Sequence, residues 1–432
     1  MTTSSSGFQS STTPSTFMGL TVPVYLPTLI SRKGEDSPFL PMAHHTQAAN
    51  ISGILDLAPE RQGVDFGQVD HFKVMNDDTS IFKSVTICLK LDGLTPGTGA
   101  TSSNIPRYAD DVIAQAIEKV EFTVGGVVLQ TLYGDELHFR QLAELKDDEL
   151  ARRYKLQGAG LTRYERAALA ESAHWVYYEI PFWWTRNSST AWHQWAFKNP
   201  QRIVIHWRNP SYILQQDTVN SLPTPKLGGN YILDHYLRFH TATATDATKS
   251  VYRSMVESQN PSGWLQMVED WERVTELNLP QGTTSNNFLL NSHNKYIYNM
   301  RFWVRPVANL MPNVLNNKRF VIKDLSSVSF TVGGKTFLPE IDDFYLKNVM
   351  NAKMFEGNAQ NPIYNIPFTD YPDLHQHAMG GFDFVNANNP TLILKHDFLD
   401  QAYVMDVYLY AHNYVRLILA GTHSGASLVQ SI

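Results

Sequence analysis

The spacing most suggestive of chemistry is His375-Gln376-His377. On a strand, residues two apart share a face, so such a pair can offer two imidazoles to one metal ion. A metal site of that type also needs a carboxylate a few residues later, where this chain has Gly380 and Gly381, and a third His beyond it. No metal is therefore expected there. His44-His45 is a weaker candidate, because adjacent side chains diverge on a strand. Three acidic pairs, Asp110-Asp111, Asp147-Asp148 and Asp342-Asp343, invite an acid/base reading. That chemistry needs carboxyls facing each other across a cleft rather than along a chain, so solvated turns and helix starts are expected.

Nucleophiles are equally poorly supported. Cys88, the one cysteine, lies in the strand-like run Val85-Thr86-Ile87-Cys88-Leu89-Lys90-Leu91, where a small strand residue is expected. Gly125-Gly126 and Gly333-Gly334 lack the Lys-Ser/Thr ending of a phosphate loop, and there is no Gly-x-Ser-x-Gly elbow. The densest aromatic patch holds Trp175, Tyr177, Tyr178, Phe182, Trp183, Trp184, Trp192, Trp195, Phe197 and Trp207. Exposed, it could stack sugars; packing between sheets or against another copy is the stronger reading. Strand alternation cannot bury both Trp183 and Trp184 on one face, so one is expected to meet a partner, a helix or a loop. No catalytic residue, cofactor or metal is assigned.

The composition limits the partners. Net charge is −6 and charged residues are 18% of the chain, a poor endowment for binding a polyanion directly. A single cysteine precludes an intrachain disulfide, as suits a reducing compartment. The N-terminus carries no secretory pattern, no apolar run reaches the length of a membrane span, and Thr2 does not fit a myristoylation signal. The sequons at Asn50 and Asn187 are then coincidental.

The elements that must position these residues are mostly strands. Residues 2–16, mainly Ser and Thr, read as a flexible arm. Residues 17–75 show no clean period and are expected to drape over other parts. From Ile81 the alternation of Val85, Ile87, Leu89 and Leu91 with polar neighbours marks a half-buried strand. Further strands are expected at 117–124, 176–184, 202–207, 230–240, 295–305, 390–394 and 402–411, with 415–419 closing the last sheet. In 296–304, Tyr296, Tyr298, Met300, Phe302 and Val304 should share one face. Residues 135–172 differ: they are rich in helix formers, with a capping-box spacing at Thr162 and Glu165, and Gly158 and Gly160 between two short helices.

The chain also repeats itself. Val120-Glu121-Phe122-Thr123-Val124-Gly125-Gly126 returns as Val328-Ser329-Phe330-Thr331-Val332-Gly333-Gly334. Tyr178-Glu179-Ile180-Pro181-Phe182 returns as Tyr364-Asn365-Ile366-Pro367-Phe368. Two phrases in the same order imply a duplicated domain, and each Gly-Gly reads as a hairpin turn. Phe122 and Tyr178 are 56 residues apart and Phe330 and Tyr364 are 34, so the first copy holds 22 extra residues, most of the helical stretch. The expected division is an N-terminal arm and irregular segment at 1–56, a first domain at 57–250 and a second at 251–432.

Four stretches carry a family resemblance. They are VEFTVGGVVLQTLYGDELHF (120–139), YEIPFWWTRNSSTAWHQWAF (178–197), HAMGGFDFVNANNPTLIL (377–394) and YLYAHNYVRLILAG (408–421). In order and spacing the chain resembles the double jelly-roll major capsid proteins of nucleocytoplasmic large DNA viruses and relatives such as polinton-like viruses and virophages. It departs at Ala378-Met379-Gly380, where that family tends to Pro-Ser-Gly, and at Arg416-Leu417, where the usual order is reversed.

The resemblance implies an all-β fold of two tandem eight-stranded jelly rolls, with the helical insertion in the first. It implies a homotrimer of pseudo-hexagonal outline, tiling an icosahedral virion shell beside minor capsid or penton proteins and sometimes over an internal viral membrane. The insertion is expected at the trimer rim or a neighbour's surface, and the arm toward the inner face or adjacent capsomers. The alternatives are a minor capsid or spike protein of the same fold, and a two-domain β-sandwich that binds or cleaves glycans.

Overall fold

The computed structural model describes residues 15–17, 20–22, 52–74, 80–99, 104–185, 191–194, 199–243, 264–292, 296–315, 317–351, 361–369, 381–420 and 423–429. The expectations for the arm 1–14, for the His pairs at 44–45 and 375–377, and for both sequons lie outside the described residues.

The first unit has β1 (Ser52–Leu57), β2 (Val69–Val74), β3 (Ser80–Leu91) and β4 (Ile117–Val124). It continues with β5 (Val127–Tyr133), β6 (His174–Glu179), β7 (Gln201–Trp207) and β8 (Ile232–Thr243). The second has β9 (Trp264–Leu279), β10 (Ser285–Leu289), β11 (Tyr296–Pro306) and β12 (Ser327–Val332). Then come β13 (Lys335–Asp342), β14 (Tyr364–Pro367), β15 (Thr391–Lys395) and β16 (Tyr403–Ala420).

In the first unit the sheets run β1-β8-β3-β6 and β2-β7-β4-β5; in the second they run β9-β16-β11-β14 and β10-β15-β12-β13. The two orders are the same once eight is subtracted from the second set. Every pairing is antiparallel and the two sheets of each unit interleave consecutive strands, which is the jelly-roll topology. The chain is thus a double jelly roll.

The repeated phrases explain themselves in three dimensions. Both glycines of each pair have positive φ (62° and 85°, then 57° and 76°), as a two-residue hairpin turn requires. Phe122 and Phe330 are fully buried, and each packs on the phenyl ring of the other phrase: Phe122 on Phe182 at 5.8 Å, Phe330 on Phe368 at 5.7 Å. The two phrases are the two halves of one contact between facing sheets, made twice.

Three expectations are corrected. Residues 17–75 do not simply drape: β1 and β2 are jelly-roll strands, and Val64, Phe66 and Phe72 lie in the core. The period was hidden because β1 is largely exposed and the buried row of β2 includes Asp70, which pairs with His235 inside the core. Trp183 and Trp184 are both buried because they sit in a 3-10 turn (Trp183–Thr185) beyond the end of β6, not on a strand. Tyr298 does not share a face with Met300, because a bulge between Ile297 and Asn299 shifts the register of β11.

Helices α1 (Val112–Ala116), α2 (Gly134–Glu144), α3 (Asp147–Gln157) and α4 (Arg163–Leu169) belong to the first jelly roll. The Thr162–Glu165 capping box forms, and Gly158 ends α3 in the left-handed region. The insertion, expected at the trimer rim or a neighbour's surface, divides in two: α2 is buried on nearly every side, wedged against the second jelly roll, while α3 and α4 bury only Gln157 and Ala167.

Candidate functional site

The second jelly roll has a sheet buried on both faces. Along β16, Met405, Val407, Leu409 and Ala411 point into its own core, while Asp406, Tyr408, Tyr410 and His412 point the other way and are buried too. After the bulge, β11 does the same with Met300, Phe302 and Val304 against Arg301, Trp303 and Arg305. An outward row this charged would normally face water. Here α2 and the end of β5 cover it.

Gly134 makes that approach possible. A Cβ at this position would collide with the backbone carbonyls of Ile117 and Ala114, so only glycine lets α2 leave β5 so close to β4. The next two residues, Asp135 and Glu136, are fully buried and aimed at the second jelly roll. Asp111, at positive φ, accepts from His138 Nδ1 at 2.6 Å, and that ring stacks on Phe320 of the second jelly roll at 3.7 Å.

Asp135 is the first hub. Arg319 makes a bidentate pair with it at 2.7 and 2.8 Å, and Arg208 and Arg305 each donate at 3.1 Å. Arg305 continues to Asp406 Oδ2 at 2.8 Å, and Arg273 reaches the other oxygen of Asp406 at 3.0 Å. Arg301 is the second hub. It donates to Glu136 at 3.1 Å, Glu144 at 2.9 Å, Asn365 at 2.8 Å and the Tyr410 hydroxyl at 3.0 Å. Arg140 on α2 lies 4.4 Å over the ring of Trp271, and Phe139 packs on Trp303 at 4.3 Å. Aromatic faces thus fill the space between the ion pairs and keep water out.

The buried charges respond to one another. Burial opposes ionisation of Asp135, but the Arg208, Arg319 and Arg305 guanidiniums outweigh it and hold the carboxyl well below its usual range. At Glu136 burial prevails over Arg301 and Arg140 and pushes the carboxyl up to about 8. Burial pushes His412 down to about 4, against the pull of Glu269, so its ring is neutral where it stacks on Tyr298 at 4.2 Å. These acids and bases face one another across a closed contact instead of a cleft. The chemistry is that of a clamp between two domains.

The sequence candidates lie elsewhere. Cys88 is buried, and burial raises its thiol pKa, which suits the inert strand residue expected. Asp147 and Asp148 open α3, and Asp342 caps the short helix Asp343–Tyr345. Asp110-Asp111 is not a solvated turn: Asp111 is fully buried on His138, and burial raises the Asp110 carboxyl pKa. Of the aromatic patch, Trp195 and Phe197 lie outside the described residues; Tyr178, Phe182, Trp183, Trp184, Trp192 and Trp207 are core, with Trp183, Trp184 and Trp192 gathered around Phe122, and Trp175 and Tyr177 are half-buried. Among the described residues no three His, Cys, Asp or Glu side chains gather to hold a metal. Sequence reasoning missed the junction, although charged residues alternating with apolar ones at Arg301, Arg305 and Asp406 were its signal.

No family model matches the chain, and no curated protein matches it. Solved structures do. The Faustovirus major capsid protein superposes with a TM-score of 0.67 at 10% identity, covering 89% of this chain and 95% of that one. PBCV-1 VP54, in a crystal structure fitted into a reconstruction of the virophage Sputnik, gives 0.66 at 13% identity, covering 89% and 98%. A chain of the Sputnik virophage structure gives 0.54 at 11%, covering 88% of each. The fold of this chain is that of the double jelly-roll major capsid proteins, over nearly their full length.

Proposed function

We propose that this protein is a major capsid protein that forms homotrimeric, pseudo-hexameric capsomers and tiles the icosahedral shell of a DNA virus. The observation that carries the reading is the clamp: two jelly rolls of one topology are welded into one body through a buried ionic and aromatic contact. Three such bodies supply six similar domains, the number a near-hexagonal tile needs. The relatives in fold, from PBCV-1 and Faustovirus, support the shell role. The protein resides in the virion, contacts other capsomers and minor capsid or penton proteins, lies above any internal viral membrane and acts without catalysis. Its acidic, charge-poor surface leaves nucleic acid to other components.

A minor capsid or spike role with this fold would differ in copy number per virion, which quantitative mass spectrometry of virions measures. The glycan reading is weakened because Trp183 and Trp184, its leading residues, are buried. Sedimentation of the purified chain tests the main reading. A trimer of the 49.0 kDa chain is expected, and a monomer at all concentrations would overturn it.

A further inference from the structure

The internal contact has a counterpart surface on the first jelly roll. Register aligns the two jelly rolls. Tyr178 faces Ile87 as Tyr364 faces Phe302, and Leu237 faces Ile87 as Val407 faces Phe302. On the outward face, Thr86 then corresponds to Arg301, Lys90 to Arg305 and Arg238 to Tyr408. In the second jelly roll this face is buried under α2. In the first, Thr86, Lys90, Trp175, Tyr177, Tyr236 and Arg238 are only half-buried, and the face is built as a contact surface.

Trp175 and Tyr177 stack at 6.3 Å, the edge of Tyr236 meets Trp175 at 5.6 Å, and Lys90 lies 5.9 Å over the Trp175 ring. Arg238 holds a bidentate pair with Asp56 at 2.8 Å and covers the face of Tyr236. Half-buried aromatics ordered by Arg and Lys are the composition of a protein interface hot spot.

The docking element has an open counterpart too. In the first jelly roll the chain passes from β5 into α2, which makes the clamp. In the second it passes from β13 into Asp343–Tyr345 and the turn Leu346–Met350, where Phe344 is 72% and Tyr345 41% exposed. Tyr364 donates to Asp343 at 2.5 Å and fixes this segment, as Tyr178 and Gln141 fix α2. Asp343 also pairs with Lys347 at 2.8 Å, so the exposed Phe344 and Tyr345 are what the segment presents.

We infer that the segment Asp343–Met350 of one copy docks on the Trp175–Tyr236 face of the next, repeating between chains the contact that α2 makes within one. The contact is head-to-tail, with different surfaces on the two partners, so three chains of two domains each close into a ring of six. This rests on the capsomer reading and assigns its mating surfaces.

Complementation tests it with full-length protein. Trp175→Ala removes one surface and Phe344→Asp the other; each is expected to weaken self-association more than about tenfold and sediment as monomer with an unchanged far-UV circular dichroism spectrum. Mixed one to one, each pair retains one intact head and one intact tail, so heterodimers of twice the 49.0 kDa chain mass are expected. Both variants remaining trimeric, or the mixture remaining monomeric, would overturn the inference while leaving a trimeric parent intact. A Trp175→Ala variant that stays trimeric but loses binding on a glycan array overturns it in favour of a sugar platform. A parent chain that never trimerises defeats the capsomer reading itself.

Discussion

At the scale of residues, a few buried charges with many partners join the two jelly rolls. Arg301 donates to Glu136, Glu144, Asn365 and Tyr410 at once, so truncating it leaves buried acceptors without their donor. Breaking a buried pair from one side costs about 3–5 kcal/mol. Arg301→Ala should lower the unfolding free energy by about that amount, read from the shift of the urea midpoint, and an unchanged midpoint contradicts the clamp. Gly134→Ala should cost about 3 kcal/mol or more, since backbone on two sides must shift. Gly229, with open space around its Cβ position, is the matched control and should tolerate alanine.

The pH dependence has a definite sign. Glu136 ionises near 8 in the fold against 4.5 in the unfolded chain, so its contribution to stability falls as pH rises from 4.5 to 8. His412 titrates near 4 folded against 6.5 unfolded, so stability falls as pH drops from 6.5 to 4. Asp135, held below 3.8 by its arginines, adds stability that is lost only below that value. Glu136→Gln should therefore flatten the loss between pH 6.5 and 8 in urea titrations. A variant as pH-sensitive there as the parent contradicts the assignment.

At the scale of elements, the repeated phrases made the fold legible. The hairpins at Gly125-Gly126 and Gly333-Gly334, the strand 117–124 and the Thr162 capping box lie where the sequence places them. Besides the 3-10 turn at Trp183 and the bulge in β11, what was illegible traces to buried polar residues that break the apolar period. Asp70 hid β2 by pairing with His235, and the outward charges of β11 and β16 could not name their cover, because α2 comes from the other domain. The pattern of a strand reports which side is apolar; it does not report what lies on the other side. Phe122→Ala and Phe330→Ala make matched tests of the repeat. Each removes a ring at the same intersheet contact and should cost about 3–5 kcal/mol, read from chemical denaturation. A mild effect at one and a severe one at the other would contradict the equivalence of the two cores.

At the scale of the whole molecule, the clamp predicts that two similar domains behave as one. Heating should give one transition with equal calorimetric and van't Hoff enthalpies, and two resolved transitions would contradict it. A rigid pair of jelly rolls is what a shell tile requires, because a hinge between them would spoil the six-domain outline. Negative-stain imaging of the purified full-length chain tests that claim most directly. The account predicts near-hexagonal particles with a true threefold axis, and particles holding only two jelly rolls would contradict it.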